Sequence, residues 1–419
     1  MKNIKGKASD IIIYQDQVDE VTLQQVSLLA NQPFTQDLKI RIMPDCHAGK
    51  GCVIGTTMTI KDKIVPNLVG VDIGCGMLLV HLGQTPIHFH ALDAFIHQQI
   101  PSGMEINAEK QDCPIDLKAL RSYGQLKKTN RFEQALGTLG GGNHFIEIDK
   151  DKKGEHYLVI HSGSRNLGKQ VAEFYQDVAI SEGEKGIFDR EKAINQVIET
   201  YRQEGRAKEI EGAIKSLKAK DIPLPFPPEL AYLEGQAFSD YLHDMDIAQR
   251  YAVLNREAMA RKICKFLGLD FDQQNHLCTI HNYIDLEAMI LRKGAISAQK
   301  GEKVIIPINM RDGTILGTGK GNPDYNFSAP HGAGRLFSRS EARQRFTVKD
   351  FQKTMKGIYS TSIAKGTLDE SPFAYKNLEM ILPYLRDTVE VTSIIKPIYN
   401  FKAVEGELPY WTKGVNGRN

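Results

Sequence analysis

HYLVIHSGSRNLG, residues 156–168, joins two signals in one line: an apolar run of strand-forming residues ending in His161, then a turn of glycine and serine leading to Arg165. A side chain at a strand end faces a cleft more often than a core, because the chain must turn there. The same grammar recurs in LCTIHNYIDLE around His281, in LGGGNHFIEI with Asn143, His144 and Glu147, in VGVDIGCGM with Asp72 and Cys75, and in SAPHGAGR with His331 and Arg335. Each places a reactive side chain beside glycines where the backbone turns tightly.

These segments lie on both sides of a stretch of different character. The first third reads as short β segments, Asp10 to Tyr14, Cys52 to Ile60 and Met77 to Leu82, with helical periodicity only near Leu23 and Leu92. From about Phe188 to Leu267 the chain runs in long amphipathic stretches that break at the Pro-rich IPLPFPPE and end at Gly268, a helix-capping glycine. The last third returns to β segments, KVIIPIN and VEVTSIIKPIYNFKA, with a helix opened by Ser338 whose Glu341 completes a capping-box spacing. Motifs split by a helical stretch predict one site assembled from distant parts of the chain. The expected fold is therefore α+β: a single large composite domain over residues 1–419, of mixed β-sheets with surrounding helices, and a helical insertion at 185–268.

Composition narrows the class. Of 419 residues, 41% are hydrophobic and 25% charged, near the globular average, and no apolar run reaches the length that spans a bilayer. The start, MKNIKGKASD, carries no signal-peptide pattern, so the expected location is cytoplasmic, without a membrane partner. Six scattered cysteines form neither a disulfide scaffold nor a paired zinc motif. A net charge of +2 means that any nucleic acid is held by a local basic patch; Lys215, Lys218 and Lys220 on the helical stretch are candidates, though a solvated helix face is the simpler reading.

Taken alone, each histidine is more often a surface or satisfied buried residue than a ligand, and Cys75 more often a buried thiol. Together, Asp72, Cys75, His144, His161 and His281 offer a carboxylate, a thiolate and three imidazoles, enough for two divalent metals bridged by sulfur. Ligand softness favours zinc for such a set. His331 differs: in Pro330-His-Gly332-Ala333-Gly334-Arg335 the small residues admit a phosphate and the arginine can neutralise it. A neutral imidazole is a competent nucleophile toward phosphorus, and the alternatives are another metal ligand or a turn residue. Rival motifs fail. The Walker-like Gly163 to Lys169 has Gln170 where a hydroxyl must reach magnesium, and the nearest approach to Lys-x-Asp-Gly is Met310-Arg-Asp-Gly313, without the lysine.

Met43-Pro-Asp-Cys-His-Ala-Gly49, Asp72-Ile-Gly-Cys75-Gly, Gly142-Asn-His-Phe-Ile-Glu147, His161-Ser-Gly-Ser-Arg165, His331-Gly-Ala-Gly-Arg335 and Ala374-Tyr-Lys376 together resemble the RtcB family of RNA ligases, from about Met43 to Lys402. The resemblance implies two manganese ions bridged by Cys75, with Asp72 and His281 completing one site and His144 and His161 the other. It implies that His331 attacks GTP and carries GMP, that Asn143 binds phosphate oxygens, and that Glu147 and Lys402 read guanine. Gly332, Ala333 and Gly334 then line the nucleotide site, Tyr375 packs on the base or is simply a half-buried tyrosine, and Arg165 and Arg335 meet RNA phosphates. The implied substrate is RNA with a 3′-phosphate or 2′,3′-cyclic phosphate end and a 5′-hydroxyl end, in tRNA splicing or RNA repair; no protein partner is indicated. One departure stands out. Where family members commonly carry Gly-Ser-Met-Gly, this chain has Ile308-Asn-Met-Arg-Asp-Gly313, so Arg311 supplies a replacement charge or the loop sits elsewhere. A dinuclear phosphoesterase that trims RNA ends needs the metal ligands alone, and a silent RNA-binding protein predicts lost ligands.

Overall fold

The computed structural model describes residues 1–404 apart from 50, 220–223 and 225; Lys220 and most of the Pro-rich turn lie outside the described residues. Local signals define the element ends. Asp19 caps the helix Glu20–Ala30 by accepting from the Thr22 amide, and Ser338 with Glu341 forms the expected capping box on Arg339–Arg345. Gly268, at φ +75°, follows the helix Gly235–Phe266.

Two sheets carry the architecture, and the fold is a mixed α/β one. The first orders its strands Lys2–Lys5, Asp10–Ile13, Ile40–His47, Ile54–Thr59, Ile290–Lys293 and Asn282–Asp285, antiparallel except where Asp10–Ile13 runs beside Ile40–His47. The second is wholly antiparallel: His276–Ile280, Gly76–Gly83, His156–Ser162, Phe145–Lys150, Val389–Phe401, Gly313–Gly319 and Lys303–Asn309. This seven-stranded sheet curls almost closed. Leu277 from one edge and Ile305 from the other join a single interior cluster with Met77, Phe145 and Val159.

Helices cover the other face of that sheet. Along Gly235–Phe266 the buried residues Tyr241, Met245, Ala248, Tyr251, Ala252, Asn255, Met259 and Ile263 recur at helical spacing and press on the second sheet and on the helix Arg165–Ile187. Within 185–268 burial is uneven. The helices Arg190–Gln203 and Ile210–Ala219 bury no residue and pack chiefly on each other, whereas Gly235–Phe266 belongs to the core. Among the described residues no helix is long and apolar enough to cross a membrane.

Two fully buried polar residues fasten this helix beneath the motif loops. Asn255 accepts from the Gly137 and Thr138 amides and donates to Thr138 O, Ser162 Oγ and Gly163 O. Arg256 donates to Gly74 O and Ser162 O at 2.8 and 2.6 Å. Because a buried group stripped of its partner costs about 1–3 kcal/mol, Asn255→Leu is expected to lower stability by roughly 3 kcal/mol or more in urea unfolding; a loss below about 1 kcal/mol contradicts this role.

Candidate active site

The motif segments converge on one cleft of about 970 Å³ between the two sheets. Cys75 stands at the start of strand Gly76–Gly83, and His161 lies near the end of the neighbouring His156–Ser162. His281 is bound to Cys75 through its backbone, its amide donating to Cys75 O at 2.8 Å. Strand pairing alone thus gathers three ligands from residues 75, 161 and 281.

The donor atoms run in a chain. Asp72 Oδ2 is 3.0 Å from His144 Nε2, Cys75 Sγ is 3.4 Å from His144 Nε2 and 3.3 Å from His161 Nε2, and His161 Nε2 is 3.3 Å from His281 Nε2. This order groups Asp72 with His144 and His161 with His281, on either side of the sulfur. It corrects the division into Asp72/His281 and His144/His161, for Asp72 and His281 are the two ends of the chain.

The imidazoles are already turned for coordination. His144 Nδ1 lies 2.8 Å from Leu139 O and His161 Nδ1 3.2 Å from Asn143 O, so Nδ1–H donates and Nε2 is left to bind a cation. Burial pushes the Cys75 thiol well up, with Asp72 adding to it, and pushes His161 and His281 well down. Buried neutral imidazoles and a thiol facing one another suit a divalent cation, which favours the thiolate. Gly163 is required here because a Cβ would strike the Asp72 carboxylate.

His331 borders this cluster, its ring centroid 4.8 Å from that of His281. Asp45, fully buried, stands with Oδ2 2.7 Å from His331 Nδ1 and accepts from the His331 and Gly332 amides with the same oxygen. The ring sits off the line of a hydrogen bond, but the carboxylate marks Nδ1 as the proton-bearing nitrogen and leaves Nε2 to the cleft. Asp45 lies within a quoted motif, yet nothing local in the sequence gave it a role. Gly294, at φ +61°, lets the backbone pass close by: a Cβ there would come 3.2 Å from His331 Cε1.

Beyond His331 lie the residues implied for the nucleotide. Asn143, Glu147, Tyr375 and Lys402 line the cleft with Gly332, Ala333 and Gly334. Glu147 accepts from Asn400 Nδ2 at 2.5 Å, and Lys402 donates to Asn143 O and Glu370 Oε2 at 3.1 and 3.3 Å. Glu370 was not foreseen. It also accepts from Tyr375 OH at 2.7 Å and from Arg339 at 2.6 Å, with Arg335 at 3.4 Å. Burial alone raises this acid, but Lys402, Arg339 and Arg335 hold it down at about 2.

The two arginines are engaged inward. Arg335 gives its donors to Phe337 O, Asp369 O, Tyr375 OH and Glu370, with its guanidinium 4.8 Å from the Tyr375 ring centre. Arg165 bonds Thr138 Oγ1 and stands 3.4 Å from His144 Nδ1. The divergent loop does border the cleft through Ile308, Asn309, Met310 and Gly313, while Arg311 turns to Asp312 and Thr354.

The model of the tRNA-splicing ligase RtcB family matches residues 25–125 and 116–403. The chain belongs to the RtcB family. It is 29% identical over 413 residues to the RNA-splicing ligase RtcB of Escherichia coli K12, covering 90% of this chain and 92% of that protein. The tRNA-splicing ligase RtcB of Methanococcus maripaludis is 25% identical over 469 residues, 90% of each chain, and the RNA-splicing ligase RtcB homolog 1 of Entamoeba histolytica 25% over 456, covering 87% of this chain and 79% of that one. RtcB membership covers both sheets, so the cleft lies inside the matched region.

Breaking a buried ion pair costs about 3–5 kcal/mol, so Glu370→Gln, which leaves Lys402 without its carboxylate, is expected to destabilise the fold by about 3 kcal/mol at neutral pH. The lowered acid contributes stability above its ordinary value of about 4.5 and loses it as the pH falls toward about 2. The gap between wild type and Glu370→Gln in urea unfolding should therefore close across that window; a constant gap contradicts the ion-pair role.

Proposed function

We propose that the protein is an RNA ligase that joins a 3′-phosphate or 2′,3′-cyclic phosphate end to a 5′-hydroxyl end, using GTP and a guanylylated histidine. The reading rests on one observation above all: His331, with Asp45 on its Nδ1 side, borders the Asp72, His144, Cys75, His161 and His281 chain within a single cleft. The relatives named as RNA-splicing ligases support the same class of reaction.

In this reading His331 Nε2 attacks the α-phosphorus of GTP. A P–N bond forms, the bond to the β-phosphate oxygen breaks, and pyrophosphate leaves. Asp45 keeps the proton on Nδ1 and offsets the charge that grows on the ring. The RNA 3′-phosphate then attacks the GMP phosphorus, freeing His331, and the 5′-hydroxyl attacks the activated 3′-phosphate and expels GMP. A cyclic end must first be opened by water. When bound by the five ligands, two divalent ions, manganese on the family's pattern, supply Lewis acidity to the phosphoryl oxygens.

Base choice follows from the far end of the cleft. An ionised Glu147 accepts from guanine N1–H and the 2-amino group, and Lys402 donates to O6, whereas adenine presents the opposite pattern at those positions. Asn143 is exposed at the mouth, where it can meet phosphate oxygens. Tyr375 offers its ring to the base and its hydroxyl to Glu370.

Incubation with manganese and α-labelled GTP is expected to leave acid-labile label on the protein, and His331→Ala to abolish it. Cys75→Ala should cut labelling at least tenfold, about 1.4 kcal/mol, and lower the manganese retained on dialysis. Label that survives in His331→Ala refutes the nucleophile, and phosphate removal from RNA ends without joining favours a phosphoesterase.

A further inference from the structure

Two carboxyls beneath the cleft have no cation of their own. Glu147 and Asp149 alternate along strand Phe145–Lys150 with Ile146 and Ile148, which face the helix-covered core. The acids therefore share the inner face of the nearly closed sheet with Phe145, Val159, Ile305 and Ile395. Glu147 opens on the cleft, and Asp149 lies one step deeper, about 7 Å along the strand. They are 2% and 0% exposed.

Their surroundings leave them short of partners. Both Asp149 oxygens and the neighbouring Thr314 Oγ1 make no hydrogen bond with any described residue, and Asn400, which donates to Glu147, has its own Oδ1 unpaired. From strand Val389–Phe401 and its end, Lys402 faces Glu147 with its ammonium taken by Glu370 and Asn143 O, while Lys396 reaches out to Asp312 O. From strand His156–Ser162, Tyr157 stands opposite Asp149 with its hydroxyl toward Asp151, and His161 belongs to the metal cluster. Strand Gly313–Gly319 contributes only Thr314. Two like charges in this apolar space cannot both persist, so one of the acids holds a proton.

We propose that Glu147 and Asp149 form a proton-sharing acid pair beneath the guanine edge, through which Asp149 sets the pH at which Glu147 becomes the two-bond acceptor that guanine requires. The inference rests on the guanine reading above and adds Asp149 as a positioning residue. Burial and then mutual repulsion raise Asp149 well above the ordinary carboxylate range; burial also raises Glu147, and Lys402 and Asn400 draw it partly back, so Glu147 releases its proton first. Below that transition Glu147 carries an O–H and offers one donor and one acceptor. That arrangement loses guanine and suits the adenine edge, where N1 accepts and the 6-amino group donates. Preference for GTP over ATP therefore strengthens as pH rises.

The test measures KM for GTP and for ATP in protein labelling across pH, in wild type and Asp149→Asn, alongside infrared spectra of the nucleotide-free proteins. Wild type should show KM for GTP falling as pH rises, and a protonated-carboxyl band at neutral pH. In Asp149→Asn the band should vanish and the KM transition move down by about one pH unit, so that on the acid side KM for GTP is about tenfold below wild type. An unshifted profile in a labelled variant, or no protonated-carboxyl band in wild type, overturns the acid pair; the second result needs no variant to fold. Absence of GTP label in both proteins overturns the guanine reading instead.

Discussion

Cys75 and three imidazoles packed nose to nose, with ligand atoms of Cys75, His144 and His161 within 4.8 Å of one another, set the constraint to which the surrounding chain is fitted. Without a cation such a cluster is held neutral by burial, and it wins little from its own contacts. The chain nonetheless brings the ligands together from residues 72 to 281 by strand pairing, and fastens them from below with Asn255 and Arg256. A polar underpinning of that kind orders the ligand loops before any ion arrives, which reduces the entropy lost on binding.

A second frame, made of carboxylates, fixes the other half of the cleft. Asp45 reaches from the six-stranded sheet to His331, and Lys376 returns to Pro44 O at 3.2 Å, so the nucleophile loop is clamped from both sides. Glu370 gathers Lys402, Tyr375, Arg335 and Arg339 into one buried network. The arginines of this network hold the pocket's shape, and the phosphate-binding role expected for Arg335 requires its guanidinium to give up bonds to Asp369 O and Tyr375.

Much of this was legible in the sequence wherever a local rule applied. Apolar runs ending in His161 and near His281, the Ser338 and Glu341 spacing, the helical period before Gly268 and the β character of KVIIPIN all rest on nearest-neighbour physics. What depended on distant pairing was not legible. Closure of the seven-stranded sheet, the roles of Asp45 and Glu370, and the grouping of Asp72 with His144 arise from contacts across tens to hundreds of residues. Asp149 was hidden for a related reason: its alternating stretch FIEID reads as a strand with one wet face, and only curling of the sheet makes that face interior.

The central claim is that a single thiolate joins two metal sites beside His331. Electron paramagnetic resonance of the protein titrated with manganese tests it most directly. The account predicts that the second equivalent converts the hyperfine pattern of an isolated ion into the spectrum of an exchange-coupled pair, and that Cys75→Ala removes the coupling. Two equivalents that bind tightly and give only isolated-ion spectra would contradict it.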